Sequence, residues 1–201
     1  MTASPKPRVG IIIGSTRPGR FADKPAEWIA ERARAFGRFD VELLDLRDYD
    51  LPLFAEKMSP AWAPSEGEVA KAWQKKIDSL DGFIILAAEY NRGPTGALKN
   101  ALDHAYNEWN RKPVAFVGYG GVGGARAVEQ LRLIAIELQM APIRSGVHIL
   151  LPDYMAVVQG EKQLGEIEHL NKGADDMLDQ FDWWLQILTA ARNDDVEAQA
   201  A

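Results

Sequence analysis

Three glycine-containing stretches carry the residues best suited to chemistry. The first, Gly14-Ser15-Thr16-Arg17-Pro18-Gly19-Arg20-Phe21, leaves a short apolar run and enters a helical pattern. Small residues let backbone N–H groups converge there, and the start of a helix adds positive potential. Ser15 and Thr16 offer hydroxyls, while Arg17 and Arg20 offer guanidinium forks that match a phosphate. Gly14 and Gly19 have P-loop spacing, but Arg20 stands where that motif needs lysine and Phe21 where it needs the magnesium-holding hydroxyl. A nucleotide triphosphatase is therefore disfavoured.

The second stretch runs Ala88-Glu89-Tyr90-Asn91-Arg92-Gly93-Pro94-Thr95-Gly96. Tyr90 supplies a face for stacking, Asn91 both donors and an acceptor, and Thr95 a helix N-cap. The third, Gly118-Tyr119-Gly120-Gly121-Val122-Gly123-Gly124, satisfies the GxGxxG pattern of dinucleotide binding. It sits in the fourth strand–helix unit, however, and lacks an acidic residue at the right distance. Close approach of a flat ring to bare backbone is the better reading. Together the stretches describe a monophosphate cradle, an edge reader and a glycine shelf. A mononucleotide with a planar ring fits, and riboflavin monophosphate (FMN) is the economical candidate.

These stretches need a frame to bring them together. Val9–Ile13, Val41–Leu46, Phe83–Ala88, Val114–Gly118 and Val147–Leu151 read as short strands, several with continuous apolar runs. Helical spacing follows Ala22, Ile29, Ala33 and Phe36, then residues 66–80, then Leu98 to Trp109, Val128 to Leu138, and Leu178 to Leu188. Five alternations predict an α/β flavodoxin-like three-layer sandwich. Its five-stranded parallel sheet has the order 2-1-3-4-5, with helices on both faces. Ligands in such sheets bind at the carboxyl ends of the strands, where the order reverses, so the loops after strands one, three and four should meet.

A chain of 201 residues predicts one domain, ordered over about 8–192, with loose tails at 1–7 and 193–201. The stretch 47–65 lacks a clear period, yet carries Leu51, Leu53, Phe54, Met58 and Trp62. It either tucks onto its own core or forms a subunit contact or a wall of the ligand site. The chain has no cysteine, which excludes a disulfide framework, a thiol nucleophile and a cysteine metal site, and its three histidines lie far apart. His104 and His148 are expected to be surface or core residues. No metal site is expected. A net charge of −6 argues against nucleic acid as partner, and no apolar run is long enough for a membrane span. A cytoplasmic protein is expected.

GSTRPGR, EYNRGPTGALKNALD and GYGGVGGARAVEQLR, in this order, resemble the NAD(P)H-dependent FMN reductase family, which includes quinone, azo-dye and chromate reductases. The resemblance spans roughly residues 8–150. It implies that Ser15, Thr16, Arg17 and Arg20 hold the FMN phosphate, with Phe21 where the chain turns into the helix. Glu89, Tyr90, Asn91 and Arg92 would border the flavin ring, partly through backbone groups. Tyr119, Gly120 and Gly121 would contact its other side. It also implies NAD(P)H as co-substrate and hydride transfer through flavin N5, in ping-pong fashion, to a quinone or similar small acceptor. The protein would be a homodimer or homotetramer. No side chain need act as acid, base or nucleophile, because the chemistry resides in the cofactor. Three alternatives stay open: a reductase releasing reduced flavin to a partner monooxygenase, a non-enzymatic electron carrier, and a flavin-binding regulatory or scaffold protein with slow residual turnover.

Overall fold

The computed structural model describes residues 5–63 and 65–200, with 195–200 as backbone alone. The elements run β1 (Arg8–Ile13), α1 (Asp23–Phe36), β2 (Asp40–Asp45), α2 (Glu68–Asp78), β3 (Gly82–Ala88), α3 (Gly96–Asp103), β4 (Pro113–Tyr119), α4 (Ala125–Glu137), β5 (Ala141–Pro142), β6 (Val147–Ile149), α5 (Leu151–Val158) and α6 (Glu168–Ala200). Short 3-10 turns lie at Leu46–Asp48, Asn107–Trp109 and Leu164–Glu166.

All strands are parallel, in the order β2-β1-β3-β4-β5, with β6 also pairing β4. This is the flavodoxin-like order expected from the alternation. Every residue of β3 and β4 is buried, because helices cover both faces. Successive side chains of one strand feed opposite cores. Ile84, Leu86 and Ala88 pack with α1 and α6, whereas Phe83, Ile85 and Ala87 pack with α2, α3 and α4. The register pairs Ile13 with Leu86 and Ala88 with Tyr119, so the carboxyl ends of β1, β3 and β4 lie side by side.

Helix boundaries follow local signals. Pro25 and Asp23 lie in the first turn of α1, and Gly37 (φ 73°) ends it in the left-handed region with its N–H on Ala33 O. Thr95 caps α3 as expected, its hydroxyl accepting from Leu98 N at 3.1 Å. The structure corrects several boundaries. α3 stops at Asp103, and Trp109 is buried from a separate 3-10 turn. The fifth strand position is shared by β5, beside Pro113–Val114, and β6, beside Val117–Tyr119. β6 ends at Ile149; Leu151, expected in that strand, instead opens α5, whose first turn holds Pro152 and Asp153. α6 runs to Ala200. Residues 1–4 and 201 of the expected tails lie outside the described residues.

The 47–65 stretch is pinned to α3. Asn100 accepts from Phe54 N at 2.8 Å and donates to Pro52 O at 2.8 Å. His104, 2% exposed, donates from Nε2 to the same Pro52 oxygen at 2.8 Å. The backbone is thus held on its own core while Leu53 and Trp62 project at 83% and 81% exposure.

Lys112 closes the opposite end of the sheet. Its ammonium is buried, 2.9 Å from Ile77 O and 3.0 Å from Asp78 O at the end of α2, where a cation suits the helix dipole. Burial pushes its pKa from 10.5 down to about 8. The unfolded chain therefore holds one more proton than the native state between those values. This group makes stability rise with pH from about 8 to 10.5, by up to about 3 kcal/mol. Urea unfolding across that window should show the rise in the wild type, and Lys112→Met should flatten it.

Candidate functional site

The β1–α1 loop is shaped by a tight turn. Pro18 and Gly19 (φ 64°) occupy its centre, and Arg20 N donates to Arg17 O at 3.3 Å. Ser15 is 1% exposed and shares a 2.8 Å hydrogen bond with Tyr90 Oη, tying this loop to the one after β3. Among the described residues, no backbone partner is found for the amides of Thr16, Arg17 and Gly19. Arg17 is exposed, has no carboxylate partner among the described residues and lies over the Tyr90 ring at 5.7 Å. Arg20 is its opposite. Its side chain is 1% exposed and bridges Asp23, Asp45 and the Ser15 carbonyl. Burial alone would raise the pKa of Asp45, but hydrogen bonds from Arg20 and Arg47 outweigh it and hold the carboxyl well below the usual range.

The β3–α3 loop opens with Glu89, whose N–H extends the pairing with β4 by donating to Tyr119 O at 3.1 Å. Its carboxylate turns away, accepting from Arg126 N at 3.1 Å and pairing with the Arg126 guanidinium. That supplies a cap to α4, whose N-cap residue Gly124 has none to offer. Glycine is required at that position: it has φ 69°, and a Cβ would sit 2.6 Å from Tyr119 N. The glycine run is therefore only partly a ligand shelf, since Gly124 serves the packing of the loop itself. Gly121 does face open space.

A cavity of about 290 Å³ lies where the three loops meet. Of the residues expected at the site, Ser15, Arg17, Arg20, Phe21, Glu89, Tyr90, Tyr119, Gly120 and Gly121 line it. Thr16 faces a neighbouring cleft beside Arg47, Tyr49 and Asn100. Asn91 and Arg92 lie outside the lining, exposed at the tip of a turn closed by Tyr90 and Gly93. Leu151 and Tyr154 from α5 also line the cavity, and the sequence reading missed them. Pro152 and Asp153 were the available signal, a helix start hidden behind an apolar run. Tyr154 packs on Phe21 at 4.4 Å, and Phe21 on Tyr119 at 5.4 Å. Tyr119 is 6% exposed, and among the described residues its hydroxyl meets full hydrogen-bond geometry with none; the Ser15 hydroxyl beside it is already bonded to Tyr90. Burial pushes its pKa up, so it is a neutral donor awaiting an acceptor.

Residues 7–150 match the family model of NADPH-dependent FMN reductases. The chain belongs to this family. It is 36% identical over 171 residues to an NAD(P)H-dependent FMN reductase of Schizosaccharomyces pombe, covering 81% of this chain and 86% of the relative. A 2-hydroxy-1,4-benzoquinone reductase of a Burkholderia species is 32% identical over 140 residues, 66% and 72% of the two chains. The fold is shared with a flavoenzyme NAD(P)H:(acceptor) oxidoreductase from Paracoccus denitrificans, with a TM-score of 0.70 and 24% identity over 90% of this chain and 97% of that one. An enzyme of this family takes FMN as cofactor and NAD(P)H as co-substrate.

The residues of this family member fit FMN. The unpartnered Tyr119 hydroxyl needs a polar group in the cavity, Arg17 and the free amides suit a phosphate, and the open side of Gly121 admits a flat ring. The turn beside the cavity is strained. Asn91 (φ 48°) and Arg92 (φ 73°) both adopt left-handed backbone, as a type I′ turn demands. Asparagine tolerates this readily, whereas in arginine it costs about 1–2 kcal/mol. Arg92→Gly should therefore raise stability by roughly 0.5–1 kcal/mol after the entropy of glycine is offset, read as a higher urea midpoint.

Proposed function

We propose that the protein is an FMN-dependent NAD(P)H oxidoreductase reducing quinones or similar small acceptors, working as a single-domain homo-oligomer in the cytoplasm. The observation that carries this reading is the juxtaposition in one cavity of the unpartnered Tyr119 hydroxyl and the free Arg17 guanidinium. Bound here, FMN would supply the two-electron redox chemistry between NAD(P)H and the acceptor.

The chain's own residues bind and orient. Arg17 and the amides of Thr16, Arg17 and Gly19 would hold the phosphate, while the Thr16 side chain faces the neighbouring cleft. Tyr119 Oη donates to a polar group of the cofactor. Ser15 and Tyr90, locked to each other, keep the first and second loops at fixed separation. Leu151, 48% exposed at the cavity wall, offers an apolar surface to a flat acceptor. The carboxylate of Glu89 is spent on α4, so it does not enter the chemistry. The quinone reductases of Burkholderia and Pseudomonas putida among the relatives support a quinone-type acceptor. Among the described residues no helix is long and apolar enough to cross a membrane, which accords with the proposed location.

The test is a visible spectrum after addition of FMN and removal of the excess, followed by anaerobic NADPH. Retained flavin that bleaches to the two-electron reduced form, with steady-state turnover of a quinone, is expected. Turnover of free FMN without retained flavin would favour the flavin-releasing alternative, and a stable one-electron form would favour the carrier. Arg17→Ala should weaken FMN about 10- to 100-fold and leave riboflavin almost unchanged, since charge-assisted contacts contribute about 1.5–3 kcal/mol. Tyr119→Phe should weaken both flavins by about fivefold to tenfold. Fluorescence titration reads both.

A further inference from the structure

We propose that Arg20 is a positioning residue: it clamps the β1–α1 loop in its anion-binding shape and does not itself touch the phosphate. This rests on the phosphate reading of the loop given above, and it separates the roles of two arginines that look equivalent in sequence.

The geometry leaves Arg20 no free donor. A guanidinium has five N–H groups. Nε donates to Asp23 Oδ1 at 2.8 Å, and Nη2 donates to Asp23 Oδ1 at 2.5 Å and to Asp45 Oδ2 at 2.6 Å. Nη1 donates to Asp45 Oδ1 at 2.7 Å and to the Ser15 carbonyl at 2.7 Å. Asp45 is held in turn by Arg47, whose Nη2 lies 2.7 Å from Oδ2. The two arginines and two aspartates cancel in charge, so the loop's surplus positive charge resides on Arg17 alone. Turning Arg20 toward a ligand would break five hydrogen bonds and leave Arg47 alone, 2.7 Å from Asp45 and 3.7 Å from Asp23, to balance two carboxylates, one of them largely buried, which is unfavourable.

What the clamp joins explains its use. Asp45 ends β2, Ser15 begins the loop after β1, and Asp23 opens α1. One planar group therefore fixes the loop at its entrance, at its exit and against the neighbouring strand. The free amides between those anchors keep their direction without a ligand to impose it, which is preorganisation.

The two roles predict opposite signs for Asp45→Asn. If Arg20 bound the phosphate, removing a competing carboxylate would release its guanidinium and lower the local negative charge, and FMN would bind more tightly. If Arg20 is a clamp, the loop loosens and FMN affinity falls about tenfold despite the more favourable charge. Riboflavin, which lacks the phosphate, should change by less than about twofold. Dissociation constants for FMN and riboflavin, read by quenching of flavin fluorescence, decide the matter. Asp23→Asn, at a half-exposed carboxylate, tests the same clamp should Asp45→Asn fail to fold, and should shift FMN in the same direction. A selective loss for FMN supports the clamp. An unchanged or tighter FMN affinity, or an equal loss for riboflavin, overturns it. If the wild type itself binds FMN no better than riboflavin, the phosphate reading fails instead.

Discussion

A parallel sheet buried on both faces has nowhere to place polar work except at the strand ends. β3 and β4 are buried along their whole length because helices cover both sides. Their backbone groups are satisfied by pairing, and their side chains are used by two cores. Register does the rest. With Ile13 beside Leu86 and Ala88 beside Tyr119, three loops leave the sheet at nearly the same level and enclose one cavity. The crossover rule makes that meeting point the place where β1 and β3 diverge to opposite sides.

The loops hold their shape through contacts that are not themselves available to a ligand. Ser15 is bound to Tyr90, Glu89 to the start of α4, and Arg20 to Asp23 and Asp45. Each removes a polar group from the cavity and anchors a turn in exchange. Among the described residues around the cavity, the Tyr119 hydroxyl, the Arg17 guanidinium and a few amides are left for a ligand, which is correspondingly informative. A buried donor without a partner destabilises the protein when the site is empty, and this cost is recovered when a ligand accepts from it. The binding surface is therefore small, and most of the residues around it are scaffold.

Much of the fold was legible because its signals are local. The apolar runs at Val9–Ile13 and Phe83–Ala88 and the helical spacing of Val128 to Leu138 need no partner to be recognised. Thr95 declared its cap in the same way. The errors came where local signals conflict. Val147–Leu151 looks like one strand, but Pro152 and Asp153 favour a helix start, and the strand yields at Ile149. That single boundary hid Tyr154 and Leu151, which lie on the helix that follows.

Residue types in the sequence alone determined that three glycine-bearing loops would follow buried strands, and that arginine, tyrosine and bare backbone would gather at one rim. It could not assign work among them. Arg17 and Arg20 are three residues apart and chemically identical, yet one is solvated and the other is enclosed by carboxylates from α1 and β2. Glu89 and Thr16 were equally plausible ligands until the direction of each side chain was known. Direction depends on partners distant in the chain, such as Asp45 for Arg20 and Arg126 for Glu89. Only the packed tertiary structure supplies those partners, because a buried charge goes wherever its opposite charge is held.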